Sequence, residues 1–552
     1  MAFSKPAFSP VSRYPIPLKR IPRIAVKYVL DNETLDKMCN RRLKKLKEAK
    51  HALRKAKEDD ISLSESLRTI DALQRLGIDY HFQDEIKAVL NSHYKICTAS
   101  SNNQNLDLSQ VALRFRLLRQ QGYHVPADVF NKFKNENGVF KQELAVDIKG
   151  LLELYEASQL NIGGEYILDE AEVFSGHLLN SSAMHLDDHL AGIVANTLKH
   201  PHHKTLSRSV IKIFLLNFQC TIQSKETFLE LAKLDFNMLQ SSHREEIVHI
   251  SKWWRDIELN RELMFAREKP LEWFAWPMAS LTEPSLSGQR VELAKVVSLF
   301  HLIQDVFHCC GRIDQLSHFV EAVNRWDIVA ANNLPDYMNM CLKALFDITE
   351  GIAYKICRDD AYNPKRSLQN AWTRLCNALL GEAKWVAVGQ FPRAEEYLKI
   401  ANSTSGIHVL LLHAFFLLGE GITRETVHLV NNDPDIISSA ETILCLCDGI
   451  GGAKGEDKKW GLGSYMECYK RQYPGTSVQD AKKHVLNKIL DTWKQLNRHC
   501  LSPNPFSDSF TKAALNCARL APLMHSFDDN HTVKLPSLQE NMNSLIFESI
   551  AV

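Results

Sequence analysis

The sequence predicts an all-α fold, and three observations carry that prediction. From Asn32 onward, charged and apolar residues alternate at spacings of three and four, with few β-branched runs. Apolar-faced segments stop at glycines. SESLRTIDALQRL (residues 64–76) puts Leu67, Ile70, Leu73 and Leu76 on one face, with Ser64 as the expected N-cap and Gly77 as the stop. VALRFRLLRQQ (residues 111–121) repeats the arrangement and ends at Gly122. Finally, no Asn-Gly or Asp-Gly turn sits between alternating strands, so the main hairpin signal is missing. With 552 residues the chain is long enough for two or three domains, and no internal repeat at a fixed period divides it.

Composition narrows the function classes. A formal net charge of +1 argues against a broad electrostatic footprint for nucleic acid or anionic lipid. No run of about 18 apolar residues stands out, so no membrane span is expected. The 13 cysteines are scattered, odd in number and outside CxxC arrays, which suits free buried thiols in a reducing compartment. The first 30 residues hold no Asp or Glu but carry Lys5, Arg13, Lys19, Arg20, Arg23 and Lys27. That texture fits either a plastid transit peptide or a disordered cytosolic extension, placing the protein in plastid or cytoplasm. HPHHK (residues 200–204) matches no standard metal-ligand spacing and is expected to be a solvated helix connection.

Several longer phrases resemble the plant class I terpene synthase family. In the first half these are LRTIDALQRLGIDYHFQDEI (67–86), LRFRLLRQQGYHVPADVFNKFK (113–134), LLELYEAS (151–158) and LDEA (168–171). In the second half the central one is FHLIQDVFHCCGRIDQLSHFVEAVNRWD (300–327). It is similar to the helix on which that family carries an aspartate-rich motif, DDxxD. No tandem Arg-Arg followed eight residues later by Trp is found near the start, and GSYMECYKR (463–471) is similar to linalool- and nerolidol-forming enzymes. The resemblance, over residues 32–550, is thus strongest to the subfamily that makes acyclic terpene alcohols. It implies two helical domains: an N-terminal α-barrel-like domain over residues 31–245 and a C-terminal class I terpenoid synthase α-bundle over 246–552, with 1–30 as the extension. The boundary is expected near residues 235–250, and a monomer is the family default.

The family's chemistry requires a diphosphate to be bound and pulled away while a carbocation is sheltered in an apolar cavity. Magnesium ions bridging diphosphate oxygens to carboxylates on two helices supply the pull. Here the first motif reads Gln304, Asp305 and His308 where three aspartates are expected. Gln304 adds no charge, and His308 suits hard Mg²⁺ poorly. The second motif, LCDGIGGAKGE (446–456), places Asp448, Gly452 and Glu456 at the metal positions, and Gly452 has no side-chain ligand. Gly449 replaces a second Asp often found beside the first. Residual metal ligands would be Asp305, Asp448 and Glu456, holding one Mg²⁺ rather than a cluster of three, or none.

The resemblance also assigns substrate contacts. Arg267 stands at the first position of a diphosphate-clamping Arg-x-Arg and Lys269 at the second, a substitution that loses bidentate contact. A further diphosphate-binding Arg is replaced by Cys445, with Lys458 or Lys459 as partial compensation. Trp276 takes the place of a cavity aromatic, and Ser405 and Gly406 that of a helix break aiming carbonyls at the cation. In LNCARLAPLMHSFDDN (515–530), His525 and Phe527 replace two tyrosines near the lid.

The changes concentrate at diphosphate-handling positions while the helical flanks are intact. The first expectation is therefore a fold repurposed for acid/base chemistry on a monoterpenoid-type substrate without a full Mg²⁺ cluster. Asp305, His308, His525 and Gln304 are the candidate catalytic residues. The second is a weakened Mg²⁺-dependent lyase that converts geranyl or farnesyl diphosphate to an acyclic alcohol. The third is a non-catalytic binder of hydrophobic terpenoids. A separate reading of His301, Asp305 and His308, at i, i+4 and i+7, is a Zn²⁺ or Fe²⁺ site on one helical face.

Overall fold

The computed structural model describes residues 32–58, 63–99, 106–217, 225–257, 269–310, 312–327, 334–359, 362–389, 391–451, 463–524 and 538–552. Among these residues the chain is helical throughout, with one isolated antiparallel bridge, Lys134 to Phe140, in place of any strand. The expected glycine stops are present. Gly77 and Gly122 have φ of +66° and +78°, the left-handed conformation that closes a helix without Cβ strain. Leu67, Ile70, Leu73 and Leu76 are all buried. Ser64, expected as N-cap, instead lies within the first turn of the helix Leu63–Arg75.

Two main apolar cores result. One gathers Leu73, Phe82, Phe115, Leu118, Phe130 and Leu154 from helices of the first half. The other fills the second half around the helix Ile407–Leu418, whose residues Ile407 to Phe416 are all buried. A helix apolar on every side belongs at the centre of a bundle. Together with its predecessor it forms a stretch, residues 394–418, long and apolar enough by length and composition to cross a membrane, against the expectation of no such run. The stretch is broken at Ser405–Gly406 and its most apolar window is 67% buried within the bundle.

The long helix Lys225–Asp256 serves both cores. Phe228, Leu231 and Ala232 belong to the first, and Phe236, Ile247, Ile250 and Trp254 to the second. The place assigned to the boundary, residues 235–250, thus lies inside one continuous helix. Polar side chains of this helix also hold the end of the chain: Gln240 donates to the carbonyls of Leu545 and Glu548, each at 2.9 Å, and Asn237 to that of Ile550 at 2.7 Å.

The HPHHK segment is not a solvated connection. His203 is 1% exposed, shares a 2.8 Å hydrogen bond with Asn497, and its carbonyl accepts from Arg519 at 2.6 Å. Asn497 in turn donates to the carbonyls of Gln159 and Asn161. The segment is a buried polar seam between the two halves, and burial pushes the His203 imidazole down to about 3.

Candidate active site

Three elements build the wall of the candidate cavity. Helix Pro270–Ser280 supplies Trp276, helix Ser287–Asp305 supplies Val296, Val297 and Phe300, and the break between helices Ala394–Thr404 and Ile407–Leu418 supplies Ser405 and Gly406. The break is made by Gly406, whose φ of +78° is left-handed. The Ser405 hydroxyl spans it, donating to the Asn402 carbonyl at 2.7 Å and accepting from the Ile407 N–H at 3.3 Å. Gly406 is needed for space as well as for φ. A Cβ there would lie 2.5 Å from the Phe300 ring. With that ring pressed on the break, the cavity measures about 20 Å³, room for about one water.

The first motif stands at the C-terminal end of helix Ser287–Asp305, where a π-helical turn, Val306–Cys310, follows. Such turns occur often at functional sites. Val306 and Phe307 point into the core, while Gln304, Asp305 and His308 are half-buried. His308 lies inside this π turn, whereas His301 and Asp305 belong to the α-helix before it. Among the described residues the set that brings metal-ligating atoms within 4.8 Å of one another is His408, Asp433 and Glu441, not the helical triple. The Arg374 guanidinium already sits in that set, at 3.0 Å from His408 and 2.8 Å from Asp433. The Gln304 amide approaches the Thr404 carbonyl, left over at the end of its helix, at a long 3.5 Å. A carboxylate could not donate there. A helix C-terminus also disfavours negative charge unless a cation compensates, so a neutral Gln304 relieves this corner.

Asp448 is exposed near the end of helix Asp435–Gly451. One turn earlier, the half-buried Cys445 thiol is pushed well above its usual value by burial, then by Glu441, Asp448 and Glu382. It stays neutral where the resemblance puts an arginine. Lys269 is paired with Glu272 at 2.7 Å. Arg267, Glu456, His525 and Phe527, together with Gly452, Lys458 and Lys459, lie outside the described residues. Gly449 packs against Ser464, where a Cβ would come within 3.3 Å. Among the described residues the two motifs offer Asp305, Asp448 and the amide of Gln304 as donors.

Two acids escaped the sequence reading. Glu441 is fully buried in AETILCLCDG, seven residues before Asp448, and burial pushes it up to about 8, only partly offset by Arg374. Arg374 is raised by the same pair as though Glu441 were ionised. The upward direction for Glu441 is the physical one, because Arg374 reaches it only at 3.3 to 3.5 Å and shares its charge with Asp433. Half-buried Glu382 hydrogen-bonds Thr404 and is pushed up to about 7 by burial. An acid inside an apolar helical run was the available signal for Glu441; Glu382 gave none. Glu441 and Glu382, neither of which lines the cavity, therefore keep a proton near neutral pH.

Comparison with known proteins agrees with this architecture. A family model described as the terpene synthase N-terminal domain matches residues 22–198, and one described as the terpene synthase family metal binding domain matches 255–495. The chain is 54% identical to probable terpene synthase 4 of Ricinus communis, covering 100% of both proteins. It is 41% identical to the chloroplastic S-(+)-linalool synthase of Arabidopsis thaliana over 88% of this chain and 84% of that one. Among solved structures, isoprene synthase from grey poplar, in complex with three Mg²⁺ ions and dimethylallyl-S-thiolodiphosphate, superposes with a TM-score of 0.86 at 33% identity, covering 94% of this chain and 99% of that one.

Proposed function

Because the chain belongs to the terpene synthase family, whose members are lyases and cyclases, we propose that it transforms a monoterpenoid-type substrate by acid/base chemistry without the three-ion Mg²⁺ cluster. The observation that carries this reading is the state of the diphosphate-handling positions. Cys445 is a neutral thiol beside Glu441 and Asp448, Lys269 is engaged by Glu272, and Gln304 faces a carbonyl. A diphosphate with about three negative charges would meet acids there. A neutral or singly charged terpenoid makes no such demand, and the half-buried Asp305 and His308 remain for general acid/base action. Asp305 and His308 are the proposed acid/base pair at the first motif, with Glu382 behind Thr404 as a proton reserve. Trp276, Phe300 and the Ser405–Gly406 break form the apolar wall. The plastid is the proposed place of action, supported by the acid-free basic first 30 residues and the chloroplastic linalool relative.

A second reading, an attenuated Mg²⁺-dependent lyase acting on geranyl or farnesyl diphosphate, is favoured by the retention of Asp305 and Asp448. One experiment separates the two. Purified protein is incubated with geranyl diphosphate, farnesyl diphosphate and neutral monoterpenoids, each with Mg²⁺ or with EDTA. Conversion of a neutral monoterpenoid that EDTA leaves unchanged is the expected result. Mg²⁺-dependent release of an acyclic alcohol from a diphosphate, at an ordinary enzymatic rate, would overturn the proposal in favour of the lyase. Silence on every substrate would leave a terpenoid-binding protein.

A further inference from the structure

A second cavity lies in the first core, far in sequence from the candidate active site and independent of how that site works. Its volume is about 120 Å³. One wall is a single face of helix Leu108–Gln120: Val111, Arg114, Phe115 and Leu118, at i, i+3, i+4 and i+7. The opposite sides come from Tyr94 and Cys97 on helix Gln83–Ala99, and from Val125 and Val129 in the segment after Gly122.

The walls are fixed by bonds that need no ligand. Gly122, at φ +78°, turns the chain back, and Tyr123 N–H donates to the Leu118 carbonyl at 3.1 Å. Arg119 donates twice to the Val125 carbonyl, at 2.9 and 2.7 Å, while its guanidinium lies 4.3 Å from the Phe115 ring centre. Phe115 meets Phe130 edge-on at 5.1 Å, and Tyr94 meets Tyr123 at 4.7 Å. The enclosure is preorganised, so a guest pays little to order it.

Its polar end is cationic. Arg114 lines the cavity and is 8% exposed. Its charge is felt nearby: it opposes the burial that raises the Cys97 thiol, and it adds to the burial that lowers Lys132. A mostly apolar pocket, open to solvent where His124 and Pro126 form its rim and with a buried guanidinium at its edge, matches the general form of a small-molecule site. An apolar cavity of roughly 150 Å³ takes benzene, so the smaller space here suits a body no larger than that. Guanidinium recognises carboxylate and phosphate oxygens in a fixed fork.

We infer that this cavity binds a small amphiphilic anion, a carboxylate or phosphate monoester carrying an aromatic or branched apolar body, with its head at Arg114 and its body against Val111, Phe115 and Leu118.

Cys97 on the wall provides a local reporter, and exposed Cys357 provides a control in the same molecule. Full-length protein is treated with N-ethylmaleimide, and modification of each cysteine is followed by peptide mass spectrometry. Benzoate or phenyl phosphate is expected to slow modification of Cys97 about tenfold when present at roughly ten times its Kd, with Cys357 unchanged. Benzyl alcohol, the neutral counterpart, should protect much less. If only one anion protects, the head group is thereby assigned as carboxylate or phosphate. Arg114→Met should abolish protection. Val129→Phe fills the cavity from the loop side while leaving Arg114 in place, and should abolish it too without loss of the folded state. Equal Cys97 rates with and without both anions, equal protection by benzyl alcohol, or full protection in Val129→Phe would each overturn the inference.

Discussion

Two arginine–glutamate clamps flank the candidate active site, and they are built differently. Arg290, near the start of the first-motif helix, holds Glu246 through two bonds of 2.8 and 2.6 Å. Its remaining nitrogen donates to the carbonyls of Leu281 and Glu283 at 2.9 and 2.6 Å. Both side chains are sealed, at 0% and 3% exposure. Arg374, behind the helix break, is spread over Ser403 at 3.3 Å, His408 at 3.0 Å, Asp433 at 2.8 Å and Glu441 at 3.3 Å. One of its partners, Asp433, is 43% exposed and sits in a left-handed backbone conformation at φ +57°. A bidentate dry pair fixes one helix to another. A shared clamp ties four segments loosely and leaves Glu441 and His408 with protons that can move. The scaffold is held by the first kind of bond and the candidate active site by the second.

The largest effect is expected at the sealed clamp. Arg290→Met leaves Glu246 buried without its partner and should cost about 3–5 kcal/mol, read from urea unfolding. A loss under about 1 kcal/mol would show that the two clamps do not differ in kind. Next in size is Gly406→Ala. Its Cβ would meet the Phe300 ring at 2.5 Å in a left-handed backbone, at a cost of about 1–3 kcal/mol. Phe300→Leu in the same chain should recover part of that loss, and additive effects would argue against the contact.

The shared clamp should show itself in pH dependence. Folding raises Glu441 from 4.5 to about 8, so between those values the folded chain holds a proton that the unfolded chain has released, and stability falls as pH rises. His408 is lowered from 6.5 to about 4, so its contribution is lost as pH falls through that window. The two oppose each other at mildly acid pH, and above about pH 6.5 only Glu441 of the two still titrates. Glu441→Gln should therefore gain on the wild type in urea midpoint between about pH 6.5 and about pH 8, while keeping the acid-side loss. Parallel curves would contradict the raised Glu441. The smallest effect is expected at an exposed pair: Glu33→Gln, which breaks the surface bridge to Lys37, should leave the midpoint unchanged.

What the sequence made legible follows from how local each signal is. The face of Leu67, Ile70, Leu73 and Leu76 and its glycine stop are written within one segment, and they stand as expected. The role of His203 was not legible because its partner, Asn497, lies 294 residues away. The supposed boundary was a helix serving two cores, and periodicity cannot tell which core a face meets. At the candidate active site, the resemblance pointed to Trp276, Ser405 and Gly406, which line one cavity. It did not point to Arg374, Glu382 or the π turn after Asp305. These depend on packing between helices rather than on any motif.

On the proposed reading, the altered first motif has left metal-driven ionisation behind. The most direct test of this claim is an Mg²⁺ titration of geranyl diphosphate turnover in the wild type and in the Gln304→Asp/His308→Asp variant. Restored carboxylates should give the variant a saturable Mg²⁺ response, with turnover orders of magnitude above a wild type that ignores the metal. A wild type that already responds to Mg²⁺ with saturation, at a rate the variant does not exceed, would contradict the claim.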